Sequence, residues 1–164
     1  MPLYDRDYDP IALALSHASG SRARRMRDVA DVLWRFLKDH GVSWVGFYTI
    51  SEDASEMELG PSRDSPACNP IALHGACGKT WRTKRPMIVH DVTNLGPDYV
   101  ACDPRDLSEL VIPMFERDGS CWGVLDLDSR ERNAFSEIDL IELHRIMESV
   151  GLSWPKPHRE PFIY

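Results

Sequence analysis

Cys102 sits in the run YVACDPRDLSE, with Asp103-Pro104 directly behind it and Glu109 seven residues on. A loop cysteine adds little to packing, so its sulfur is either idle or reactive. The chain has four cysteines, Cys68, Cys77, Cys102 and Cys121, and none forms a CxxC. Paired short spacings, the usual mark of structural zinc, are missing. A site built from Cys68 and Cys77 with His74 and His90 is the remaining zinc reading. Cys121 falls in an apolar strand and reads as inert packing. Cys68, Cys77 and Cys102 fall in or beside loops, where thiols can meet and be exposed. A free thiol has a pKa of about 8.5, so some thiolate exists at neutral pH. Two such thiols can complete a redox cycle, one oxidised to a sulfenic acid and the other condensing with it to a disulfide. That chemistry also needs a proton donor for the departing oxygen.

Acids are available nearby. The segments Glu109 to Glu116 and Cys121 to Asp128 read as two strands joined through Arg117-Asp118-Gly119-Ser120, and Asp-Gly between apolar runs is a strong hairpin signal. A turn centred on Asp118-Gly119 sets Val111 opposite Asp126 and Glu109 opposite Asp128. Side chains alternate along a strand, so Glu109, Asp126 and Asp128 share one face at the end far from the turn. Val111, Phe115, Trp122 and Val124 are expected on that face too, and Leu110, Ile112, Met114, Leu125 and Leu127 on the other. Three acids at the edge of a covered face call for a positive guest, a metal or a shared proton. The plain alternative is a strand end that meets water.

The rest of the chain must position these groups. A short apolar segment, Ile11 to Leu15, precedes a helix expected over 21–39, with Met26, Val29, Ala30, Leu33, Leu37 and His40 as its buried stripe and Gly41 as its stop. Strands are expected over 44–50, 57–59 and 87–90, a short helix over 75–84, and loops over 60–75 and 91–104. A last helix starts at Ser136, with Asp139 completing a capping box and Ile138, Ile141, Leu143, Ile146, Met147 and Val150 as its apolar positions. The tail WPKPHREPFIY has no period and reads as loosely ordered or draped over a partner. This order gives an α+β fold, one domain over 1–164: an N-terminal helical region at about 9–40, the sheet, loops and last helix at 41–151, and a proline-rich tail at 152–164.

Composition narrows the function. The chain has 164 residues, 19 Lys and Arg against 26 Asp and Glu, and a formal net charge of −7. That balance argues against a nucleic-acid binder. The one basic cluster, Arg22 to Arg27, reads as a solvated helix face. No apolar run approaches membrane-spanning length, and no signal peptide is visible, so a cytoplasmic location is expected.

From about Trp44 to Asp139 the sequence resembles GAF domains of the free methionine-(R)-sulfoxide reductase type. The matching pieces are WVGFY (44–48), LGP (59–61), PAC ending at Cys68, ACG around Cys77, VACD around Cys102, SEL with Glu109, and GVLDLDS (123–129). The resemblance implies a GAF-like domain with a central antiparallel sheet and packed helices, usually a homodimer. It implies reduction of free methionine sulfoxide, with thioredoxin or another dithiol as reductant and no metal or cofactor. Cys102 would attack, Cys68 would resolve, and Cys77 would be auxiliary or an alternative partner. Glu109, Asp126 and Asp128 would hold the substrate ammonium and protonate the sulfoxide oxygen, while Trp44 and Tyr48 would wall the pocket. One departure is visible: between Cys68 and Cys77 the loop is one residue shorter than the family's and lacks its Arg-Ile-Pro. A catalytically inactive GAF-type module that binds an amino acid or senses redox state is the alternative reading.

Overall fold

The computed structural model describes residues 3–64, 67–99, 102–157 and 159–164. Ser65, Pro66, Val100 and Ala101 of the two expected loops, and His158 of the tail, lie outside the described residues. Among the described residues four α-helices, α1 (Asp9–Ala14), α2 (Arg22–Leu37), α3 (Ala76–Thr83) and α4 (Glu137–Ser149), and a 3-10 segment, Val92–Asp98, accompany seven strands: β1 (Trp44–Ile50), β2 (Glu56–Arg63), β3 (Ile71–Ala72), β4 (Met87–Val89), β5 (Ser108–Phe115), β6 (Cys121–Ser129) and β7 (Phe162–Ile163). They form one sheet in the order β3-β2-β1-β6-β5-β4-β7. Among the described residues no helix is long and apolar enough to cross a membrane.

The sheet's centre is antiparallel as expected, and β5 pairs with β6 in the expected register, Glu109 opposite Asp128 and Val111 opposite Asp126. The turn holds Gly119 at φ 87°, a left-handed conformation that suits glycine. One side of the sheet packs on α1, α2 and α4 through a large apolar core that includes Ile11, Leu33, Phe47, Leu110, Ile112, Leu125 and Leu143. The other side carries a smaller cluster of Trp44, Tyr48, Met57, Cys77, Met87, Val89, Val111 and Val124, which α3 covers.

The differences from expectation have local causes. Trp122 belongs to the helix-side core, stacked 6.4 Å from Phe47, rather than to the acid-bearing face. The pairing slips between Met114 and Phe115, so Phe115 faces Cys121 and Trp122 is the extra residue of a bulge, turned to the helix side. Ile138 and Ile141 are 60% and 44% exposed. The capping box is present, but Asp139 is drawn inward by Arg6 and Tyr8, which sets the phase of α4 so that Leu140 is buried in place of Ile138 and Ile141, while Leu143, Ile146, Met147 and Val150 are buried as expected. His40 is exposed, because α2 already ends at Leu37. The strand expected over 57–59 runs on to Arg63, and β3 lies in the segment expected to be loop.

The tail is neither loose nor free. Phe162 and Tyr164 donate backbone hydrogen bonds to Pro86 and Ile88, both at 2.9 Å, and β7 becomes a parallel edge strand beside β4. Two residues are too few to show a period in sequence. The ring of Phe162 is flanked by the cations of Lys79 and Arg85, at 4.5 and 3.7 Å from its centroid.

Candidate functional site

Antiparallel pairing across β1, β6 and β5 lines up two rows on the smaller-cluster face. Trp44, Asp128 and Glu109 form one row, and Gly46, Asp126 and Val111 the next. A Cβ at position 46 would collide with the Trp44 indole, so glycine there lets the ring lie across the strand. The acids form part of a cavity of about 280 Å³, lined also by Trp44, Tyr48, Cys77 and Cys102. Glu109 and Asp126 are thus buried, Asp128 is half-buried at the cavity edge, and the strand end does not simply meet open water.

Cys102 is joined to Cys68 in a disulfide whose Cα atoms are 5.6 Å apart. The Tyr48 hydroxyl donates to the Cys68 carbonyl at 2.8 Å and tethers that loop to β1. The Trp44 and Tyr48 rings stand 5.9 Å apart along one side of the cavity. Cys77, the second residue of α3, donates its thiol to Asp126 Oδ2 at 3.4 Å. Cys121 lies apart from this group, buried, with its thiol directed at the Gly123 carbonyl at 3.2 Å.

Glu109 and Asp126 are each 5% exposed, and among the described residues no salt bridge reaches either of them or Asp128. Burial without a counter-charge favours the protonated carboxyl. It pushes Glu109 up to about 7. Burial raises Asp126 well above the carboxylate range, reinforced by the charges of Asp128 and Glu109. Asp128 rises for the same reason, with Glu109 the next cause. The charge of Glu109 adds to the upward push on Asp126. The Cys77 thiol is raised by burial and then by the Asp126 carboxylate.

Several lining residues had no role in the sequence reading. Asp106 is buried, accepts a hydrogen bond from the Ser43 hydroxyl at 2.8 Å, and is raised by burial. Tyr99 lines the cavity and is raised by burial and then by Glu109. Arg105 and Arg130 stand at the rim, and both pair with Asp103, at 2.9 and 3.6 Å. Tyr99 and Asp106 flank Cys102 closely in sequence, which was their only visible signal. The zinc reading with His74 and His90 is not supported. Cys68 is bonded to Cys102, and among the described residues the compact group of metal-ligating side chains is Cys77, Glu109 and Asp126.

The family model described as GAF domain matches residues 21–153. The chain is 34% identical over 125 residues to GAF domain-containing protein A of Dictyostelium discoideum, covering 76% of this chain and 77% of that one. It is 32% identical over 132 residues to the free methionine-R-sulfoxide reductase of Saccharomyces cerevisiae, covering 78% and 73% respectively. A solved structure of the free methionine-R-sulfoxide reductase from Neisseria meningitidis, in complex with its substrate, superposes with a TM-score of 0.75 at 28% identity, over 92% of this chain and 93% of that one.

Proposed function

The chain belongs to the GAF domain family, in the group that includes the free methionine-R-sulfoxide reductases, and from that premise we propose that it reduces free methionine-(R)-sulfoxide to methionine. The observation that carries the reading is a cysteine of the Cys68–Cys102 disulfide in the same cavity as three acids that lack a cation. A zwitterionic amino acid brings an ammonium, which suits the acids. It also brings a carboxylate, for which the first backbone N–H groups of α3, beside Gly75 and Ala76 on the cavity wall, are suitable donors.

In the proposed cycle the Cys102 thiolate attacks the electrophilic sulfoxide sulfur. The oxygen takes a proton from the acid cluster, methionine leaves, and Cys102 is left as a sulfenic acid. Glu109, poised near 7, suits the donor role at neutral pH. The Cys68 thiol then displaces water to close the disulfide, and an external dithiol of the thioredoxin kind reopens it by exchange. Trp44 and Tyr48 would flank the S-methyl end. Cys77, outside the disulfide, is an auxiliary thiol in this scheme. The proposal includes a homodimer in the cytoplasm as the working form.

The test is incubation with free methionine-(R)-sulfoxide and dithiothreitol, followed by quantification of methionine. The R epimer of the free amino acid should be consumed, while the S epimer and peptide-bound sulfoxide should be left. Cys102→Ser should form no methionine above background. Tight binding of the sulfoxide without turnover by the wild type would instead favour an amino-acid-binding module.

A further inference from the structure

Cys77 is the one cavity thiol that the redox pair does not use. Its Sγ, a Glu109 carboxylate oxygen and an Asp126 carboxylate oxygen all lie within 4.8 Å of one another, and all three residues are buried. They come from different elements: α3 supplies the thiol, β5 and β6 the carboxyls. Asp126 Oδ1 has no hydrogen-bond partner among the described residues, although Asp126 is only 5% exposed. An ammonium guest would be satisfied by carboxylate oxygens alone. The sulfur adds something else, a soft ligand set beside two hard ones.

We propose that Cys77, Glu109 and Asp126 form an inhibitory site for a borderline-soft divalent cation, Zn²⁺, inside the cavity. Zinc takes thiolate at about 2.3 Å and carboxylate oxygen at about 2.0–2.2 Å, so three ligands on one ion stand roughly 3.3–3.8 Å apart. Rotation of side chains already this close reaches that spacing. The thiol proton of Cys77, and the protons that burial keeps on the Glu109 and Asp126 carboxyls, leave to solvent as these groups coordinate, and no redox change is involved. Asp128 or a water completes the tetrahedron. The two carboxylates and the thiolate outweigh the dication's charge, and calcium or magnesium, which select oxygen ligands, would be poor substitutes. Binding does not depend on the reductase reading. The consequence for turnover does, because the ion would occupy the acids assigned to the substrate ammonium.

The two parts are separable by experiment. Protein with the Cys68–Cys102 disulfide intact is titrated with Co²⁺ and with Zn²⁺, so that Cys77 and Cys121 are the only thiols. The expected result is one metal per chain, with a thiolate-to-cobalt charge-transfer band that zinc displaces. The band should persist in Cys121→Ser and vanish in Cys77→Ser, and metal affinity should fall at least about tenfold in Asp126→Asn. A band that disappears with Cys121→Ser, or wild-type protein that takes up no metal, would overturn the proposal. The charge-transfer band is read on wild-type protein, so a poorly folded Cys77 variant does not leave the question open. On the reduced protein, methionine formation should fall in proportion to zinc bound and return with EDTA. Metal binding without methionine formation under any condition would contradict the reductase reading and leave the metal site standing.

Discussion

Two buried acid settings lie on opposite sides of the same sheet. On the helix side Asp139 is 2% exposed, yet it is fully engaged. Arg6 pairs with it at 2.9 Å, the Tyr8 hydroxyl donates at 2.6 Å, and the Ser136 backbone donates at 2.8 Å. On the other side Glu109, Asp126 and Asp128 crowd together, and among the described residues no cation pairs with them and a carboxylate oxygen of Asp126 has no partner. Asp139, Glu109 and Asp126 are buried to nearly the same degree. The difference is whether the fold supplies the counter-charge. Where it does, the acid fixes the phase of a helix. Where it does not, protons must stay on, and the site is left ready for a positive guest.

The contrast can be broken by mutation. Arg6→Ala strands a buried carboxylate on the helix side, and chemical unfolding should show a loss of about 3–5 kcal/mol. Asp126→Asn should behave oppositely, with stability unchanged or higher above neutral pH and turnover lost. Equal destabilisation by both would erase the distinction. Glu109→Gln comes next in size, with kcat/KM lowered about 100-fold if Glu109 delivers the proton.

A pH series sharpens the comparison. Glu109 rises from 4.5 to about 7 on folding, so between those values the native state holds more protons than the unfolded one. Stability contributed by this group is therefore present below about 4.5 and lost as pH rises toward about 7, a fall on the order of 2–3 kcal/mol. Urea midpoints across this window should fall in the wild type and fall less steeply in Glu109→Gln, where Asp126 and Asp128 still contribute a slope of the same sign. The smallest effect is expected on the outer side of α4, where Ile141→Ser should change monomer stability by no more than about 0.5 kcal/mol.

The site's core was legible in the sequence because two local rules sufficed. Asp118-Gly119 centres the hairpin, and alternation along β5 and β6 then brings Glu109, Asp126 and Asp128 to one face. The loop cysteines were conspicuous by type, and the family motifs implied their pairing. What stayed hidden depended on contacts between distant segments. Trp122 changes face through a bulge that no residue type announces. Ile138 and Ile141 look like core until Arg6 and Tyr8, 131 residues from Asp139 in the case of Tyr8, turn α4. The C-terminal strand needs β4 as a template. Cys77 and Asp126 are 49 residues apart and meet only because α3 lies over the sheet.

The central claim is that a reactive thiol pair and a cation-free acid cluster act on one guest in one cavity. It is tested most directly by a single turnover: fully reduced protein, an equal amount of free methionine-(R)-sulfoxide, and no external reductant. The account predicts one methionine formed and two thiols lost per chain, with peptide mapping finding the new bond between Cys68 and Cys102. Thiol loss without methionine, or methionine formed with the new bond at Cys121, would contradict it.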